Sequence, residues 1–146
     1  MNAIEEQPTG TELEPLPTIV LLVEDEVLIR LDLSDELRDS GCTVYEAGTA
    51  DMAMELLKTP MRVDVVVTDV RMPGNTNGMD LAALVRENRP TTKVVVMSGD
   101  HIPDDEEQHL FDGFFPKPFD SRSLVKTIKA LQNSFGSASE RASTNG

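Results

Sequence analysis

The stretch Val63-Asp64-Val65-Val66-Val67-Thr68-Asp69-Val70-Arg71-Met72-Pro73-Gly74 decides how the chain folds. Its first six residues form a short apolar run rich in β-branched side chains, which fits a strand buried on both faces. Asp69 stands where that strand leaves the sheet, and Arg71-Met72-Pro73-Gly74 turns the chain immediately afterwards. In open α/β sheets, ligands bind in the crevice at the carboxyl ends of the strands. A lone aspartate there is equally suited to capping a turn, so its meaning depends on what the other strands bring beside it.

Outward from this strand the periodicity alternates. Thr18–Val23 is an apolar run and reads as a buried strand. Glu26 to Ser40 reads as a helix, with Val27, Leu31 and Leu37 on one face and Gly41 stopping it. Cys42–Glu46 is a short strand, and Thr49 can cap a helix carrying Ala50, Ala53, Met54 and Leu57 at helical spacing before Pro60. Met79–Asn88 is helical through Leu81, Leu84 and Val85, and Pro90 bars its continuation. Lys93–Met97 is another β-branched strand, and Pro103 to Leu110 fits a short helix with Asp104 to Glu107 in its first turns. Gly113–Phe115 is a brief strand. Asp120 or Ser121 then caps a last helix with Leu124, Ile128, Leu131 and Phe135 on one stripe.

Five strands alternating with five helices predict an α/β fold, a flavodoxin-like, doubly wound parallel sheet with helices on both faces. The order 2-1-3-4-5 is the common solution for this count, and it places strands one, three and four centrally. Residues 1–17 carry four Glu, three Pro and no aromatic residue, so they cannot bury enough surface to offset ordering entropy. They read as a disordered tail, as do residues 136–146, and leave a folded unit over 18–135.

The bulk numbers narrow the function. The 146 residues suit one domain with a single core, and a mean hydropathy of −0.24 is ordinary for a globular chain. No apolar run is long enough to span a bilayer and the N-terminus has no basic-then-apolar signal pattern, so a cytoplasmic protein is expected. The single cysteine, Cys42, cannot form an internal disulfide, which fits a reducing compartment. Thirteen Lys and Arg against 26 acids, a net charge of −13, argue against nucleic acid or an anionic membrane as partner. The acidity does suit a protein that holds a divalent cation.

The strand ends supply the chemistry. After the first strand come Glu24, Asp25 and Glu26; after the third, Asp69; after the fourth, Ser98; after the fifth, Lys117. Bringing Asp25 and Asp69 within about 4 Å costs on the order of 4 kcal/mol at an effective dielectric near 20. A hard divalent cation removes that repulsion, and Mg²⁺ takes such carboxylates together with carbonyl and water oxygens. A carboxylate so held can attack a phosphoryl group, with the metal and a lysine neutralising charge and a serine hydroxyl bonding one oxygen. The product would be an aspartyl phosphate on Asp69. Each residue also has a plainer reading: Glu24-Asp25 as a helix cap, Ser98 as a turn residue, Lys117 as a solvated lysine.

Together Leu-Leu-Val-Glu24-Asp25-Glu, Val-Thr-Asp69-Val-Arg-Met-Pro73, Met-Ser98-Gly and Lys117-Pro118-Phe119 make the chain resemble the receiver domain of two-component response regulators. The likeness covers nearly the whole folded unit. It implies transfer of a phosphoryl group to Asp69 from a histidine kinase or histidine phosphotransfer protein, with Mg²⁺ required and Mn²⁺ as a substitute. It implies Asp25 and Asp69 as direct metal ligands, Glu24 as an indirect one through water, and the backbone carbonyl of Arg71 as a third protein ligand. Ser98 matches the switch hydroxyl, Phe114 the switch aromatic and Lys117 the phosphate-binding lysine.

Three departures from the family pattern stand out. Phe114 has no hydroxyl for an output contact. Eighteen residues lie between Ser98 and Lys117, several fewer than usual, so the fourth helix is expected to be short or irregular. The loop from Pro73 to Gly78 is one residue longer, and Phe115-Pro116-Lys117-Pro118-Phe119 after Phe-Asp-Gly resembles a divergent subgroup of stand-alone receivers. A Ser-rich tail follows the last helix, so output is expected through contact with another protein or by draining phosphoryl groups as a sink.

Other candidates are weaker. A phosphohydrolase working through the same aspartyl phosphate would resemble haloacid-dehalogenase-like enzymes, but those have a second Asp two residues after the nucleophile, where this chain has Arg71. The chain is therefore expected to catalyse only its own phosphorylation and dephosphorylation. A non-phosphorylated interaction module of the same fold would have lost one acceptor-site residue, and none is lost. His101, His109 and the Asp104–Glu107 acids read as solvated groups, and the methionines as core filler or loop anchors.

Overall fold

The computed structural model describes residues 16–72, 76–100 and 102–132. The five strands are β1 (Ile19–Val23), β2 (Thr43–Ala47), β3 (Val65–Asp69), β4 (Lys93–Ser98) and β5 (Gly113–Pro116). They form one sheet in the order β2-β1-β3-β4-β5, and every pairing is parallel. The predicted topology is the observed one.

The valine run of β3 explains why it is central. All five of its residues are buried, and its three valines alternate between two apolar clusters. Val66 packs with Leu21, Val94 and Val96 on one face; Val65 and Val67 pack with Leu22, Val95 and Met97 on the other. Each fully buried valine contributes roughly 1.5 kcal/mol or more. A strand with two apolar faces is stable only with helices over both.

Helices α1 (Val27–Asp39) and α4 (residues 121–132) cover the second face, and α2 (Ala50–Leu57) and α3 (Gly78–Asn88) cover the first. Gly41 adopts φ 101° just past α1, the left-handed conformation that glycine takes without a Cβ penalty. In that turn the N–H of Cys42 donates back to the Leu37 carbonyl at 3.0 Å. Thr49 caps α2 as predicted, accepting from the Met52 N–H at 3.1 Å. Asp120, rather than Ser121, caps α4 by accepting from the Arg122 N–H.

The structure corrects several expectations. Val27 and Leu31 are exposed; α1 buries Leu33, Ser34 and Leu37 instead. Leu33 and Leu37 lie one turn apart on the same stripe, whereas Val27 and Leu31 lie on another. Met52 is exposed, while Met97 and Met79 are core residues. Helix α3 begins at Gly78, one residue early, because Asn77 and Asp80 form a reciprocal capping box.

The expected fourth helix, Pro103 to Leu110, is reduced to a single 3-10 turn, Glu107–Leu110. Asp104 and Glu107 satisfy each other's backbone N–H there, and too few residues remain to build a longer helix before β5. The two tails expected to be disordered lie outside the described residues apart from Leu16 and Pro17, as do His101, residues 73–75 of the Pro73–Gly78 loop and Phe135.

Candidate functional site

The crevice at the carboxyl ends of β1, β3, β4 and β5 gathers the predicted residues. The Glu24 N–H donates to the Ala47 carbonyl at 3.0 Å, which extends the β1–β2 ladder by one residue. Its side chain is fully buried: Oε2 accepts from the Glu26 N–H at 3.1 Å and Oε1 from Lys117 Nζ at 3.0 Å. Asp25 follows, half-buried, at the lip of the crevice.

Asp69 closes β3 and is 8% exposed, enough to reach solvent at the mouth. Its Oδ2 accepts from Lys117 Nζ at 2.8 Å. Its backbone carbonyl accepts from the buried Thr68 hydroxyl at 2.9 Å. Carboxylate oxygens of Glu24, Asp25 and Asp69 lie within 4.8 Å of one another.

Ser98, at the end of β4, is buried, one residue beyond Met97, the β4 partner of Asp69. Its carbonyl accepts from the Lys117 N–H at 2.7 Å, so the backbones of the serine and the lysine are tied together. The Lys117–Pro118 peptide is cis. Phe114 is half-buried against the α2–α3 cluster, its ring centroid 6.2 Å from that of Phe111. Arg71 lies two residues past β3, and its guanidinium pairs with Asp100 at 3.1 Å across two loops. His109 is exposed on the 3-10 turn, away from the crevice.

The electrostatics follow from burial. Desolvation pushes the Glu24 carboxyl above its ordinary value; hydrogen bonds from Glu26 and Lys117 oppose this, while the charge of Asp69 adds to it. For Lys117, burial works against the ammonium, but hydrogen bonds to Asp69 and Glu24 outweigh it and hold the lysine above its usual value. One ammonium against three clustered carboxylates leaves excess negative charge. An all-oxygen, acidic donor set of this kind fits a hard divalent cation of the Mg²⁺ class.

Some supporting residues were not singled out from the sequence. Thr68 read as the end of a strand, yet it fixes the Asp69 carbonyl. Gly78 read as a loop residue, yet a Cβ there would lie far inside van der Waals contact with the Asp69 carbonyl oxygen, 2.8 Å from the carbonyl carbon and 2.9 Å from Val70 Cα. The Asn77-Gly78 pair was the available signal. Arg30 drew no reading from its sequence context and Glu46 only that of a strand end; the Arg30 guanidinium donates to the Glu24 carbonyl at 2.8 Å and to Glu46 at 3.2 Å.

Comparison with known proteins agrees with this geometry. Residues 20–129 match the family described as the response regulator receiver domain. The chain is 32% identical over 151 aligned positions to the transcriptional regulatory protein PdtaR of Mycobacterium tuberculosis, covering 94% of this chain and 72% of that protein. It is 35% identical to part of the sensor kinase CckA of Brucella abortus, covering 77% of this chain but 12% of the kinase.

Among solved structures, a response regulator receiver protein from Sinorhizobium medicae superposes with a TM-score of 0.70 at 30% identity, covering 80% of this chain and 95% of that one. The response regulator TrrA from Thermotoga maritima, solved with Mg²⁺ and BeF, superposes equally well at 26% identity, covering 78% and 98%. Among the described residues no helix is long and apolar enough to cross a membrane.

Proposed function

Because the chain belongs to the response regulator receiver domain family, we propose that Asp69 accepts a phosphoryl group from the phosphohistidine of a histidine kinase or histidine phosphotransfer protein. The observation that carries this reading is the placement of Lys117 Nζ, 2.8 Å from Asp69 and 3.0 Å from Glu24, beside a three-carboxylate cluster. An Asp69 oxygen attacks phosphorus, the P–N bond to the donor imidazole breaks, and its electron pair returns to the ring nitrogen. Lys117 then transfers its hydrogen bonds from the carboxylates to a phosphoryl oxygen, and the Ser98 hydroxyl binds a second one. The side chains of Asp25 and Asp69, the Arg71 carbonyl and, through water, Glu24 would hold Mg²⁺, which would supply positive charge to the phosphoryl oxygens.

Adding roughly −2 charge to a buried crevice draws Ser98 and Lys117 toward it. Phe114, two residues before Pro116 in β5, is the aromatic that responds to this movement. We take the output to be contact with another protein, or drainage of phosphoryl groups as a sink, since a net charge of −13 opposes direct contact with nucleic acid. The chain turns over no external substrate, and it works in the cytoplasm, where kinases make phosphohistidine.

Incubation with acetyl phosphate and Mg²⁺ tests the reading. Wild type is expected to take up one phosphoryl group per chain and Asp69→Asn none; labelling of Asp69→Asn at the wild-type level would refute the assignment. Sustained release of phosphate from a small phosphate ester would favour a phosphohydrolase instead.

A further inference from the structure

We propose that Arg30, oriented by Glu46, is a positioning residue that sets the direction in which Asp25 presents its carboxylate to the cation. The inference rests on the metal-site reading above and adds a residue to it. The two peptide groups flanking the Asp25 Cα are each held by a hydrogen bond. The carbonyl of Glu24 accepts from Arg30 Nη1 at 2.8 Å, and the N–H of Glu26 donates to Glu24 Oε2 at 3.1 Å. Fixing both peptides fixes φ and ψ of Asp25, and therefore the Cα–Cβ direction along which its carboxylate leaves the backbone. Arg30 does this through the Glu24 carbonyl, its side-chain partner being Glu46 and not a carboxylate of the crevice.

The guanidinium is itself held from a different strand. Arg30 Nε donates to Glu46 Oε1 at 3.2 Å, and the other oxygen of Glu46 takes Arg38 Nη1 at 3.1 Å. Glu46 lies on β2, in register with Leu22 of β1, so the edge strand anchors the arginine at the level of the acidic loop. Arg30 and Glu46 are both mostly buried, with side chains 20% and 23% exposed. A planar fork suits this task, because one cation must meet a carboxylate and a carbonyl in fixed directions. A lysine reaches one partner or the other.

Arg38 provides the comparison. It shares Glu46 and donates to the Val44 carbonyl at 3.0 Å, and neither bond reaches the Glu24–Asp25 segment. Removing either arginine disturbs the same glutamate; removing Arg30 alone frees the Glu24–Asp25 peptide.

The test measures Mn²⁺ binding to the full chain by electron paramagnetic resonance, with Mg²⁺ competition, and needs no phosphorylation. Arg30→Gln is expected to weaken binding on the order of tenfold, the lower end of the loss seen when outer partners of metal ligands are removed. Arg38→Gln is expected to stay within about twofold, as for a half-exposed ion pair. Glu46→Gln, which keeps both arginines, is expected to fall between them and serves if Arg30→Gln does not fold. Wild-type affinity in Arg30→Gln, or in Glu46→Gln where that stands in, overturns the inference, as does an equal loss in Arg38→Gln. Absence of saturable Mn²⁺ binding in wild type would overturn the metal-site reading instead, and this inference with it.

Discussion

Gly78, the first residue of α3, lies so close to the backbone of Asp69 that no side chain fits between them. The Gly78 N–H donates to the Val70 carbonyl at 2.8 Å, which draws the start of α3 against the end of β3. The neighbouring atoms are backbone, so they cannot rotate aside. Gly78→Ala is expected to destabilise the fold by about 3 kcal/mol, at the upper end of overpacking costs, and to slow labelling of Asp69. Urea unfolding midpoints and acetyl phosphate labelling check both parts.

Lys117 shares the carboxylates that a cation would use. Its removal leaves Glu24 and Asp69 facing each other without an ammonium between them. Lys117→Met is therefore expected to be less stable than wild type without metal, and to gain more in Tm when Mg²⁺ is added. Labelling at saturating Mg²⁺ should nevertheless fall by at least about 100-fold, because a preorganised donor to the phosphoryl group is gone. Thermal melts with and without Mg²⁺, paired with labelling rates, separate the two effects.

Glu24 makes the metal-free fold sensitive to pH. Its folded pKa is raised, chiefly by burial, so the folded state holds this proton more tightly than the unfolded one. Its favourable contribution is complete below the unfolded value, about 4.3, and is lost as pH rises through the folded value. Once ionised, the buried carboxylate supports folding less than its protonated form does. Glu24→Gln is accordingly expected to raise the metal-free Tm at pH 7 by roughly 2–5 °C, and this gain should shrink as pH falls into the carboxylate range. Melting curves of the two proteins across that range provide the check.

Arg89 joins the ends of two helices far from the crevice. Its guanidinium donates to the carbonyls of Met61, Leu57 and Thr59 at 2.7, 2.9 and 2.8 Å, capping the C-terminal end of α2 from the end of α3. Arg89→Ala is expected to cost about 2–3 kcal/mol, the scale of hydrogen bonds to a charged group, while Asp69 labels at the wild-type rate. Unfolding and labelling of the same variant test this separation of stability from chemistry.

The fold was legible because its signals are local. The valines of β3 have no polar face, so a sheet covered on both sides follows from residues 63–69 and their neighbours. The short segment between Ser98 and Lys117 likewise limited the fourth helix by length alone. Where the reading missed, the deciding contact was distant in sequence. The periodicity of α1 admits more than one stripe, and packing against β1 and β2 selects Leu33 and Leu37 over Val27 and Leu31.

The same division holds for the site. Sequence by itself determined which chemical groups stand at the strand ends, since each follows its own strand directly: Glu24 and Asp25, Asp69, Ser98, Lys117. Tertiary structure decided how they are held. Lys117 meets Glu24 across 93 positions and Arg30 reaches Glu46 across 16. Gly78 must be bare because Asp69 returns beside it. Such pairings depend on strand order and helix placement, and a side chain's type does not reveal its partner until the sheet has brought the two together.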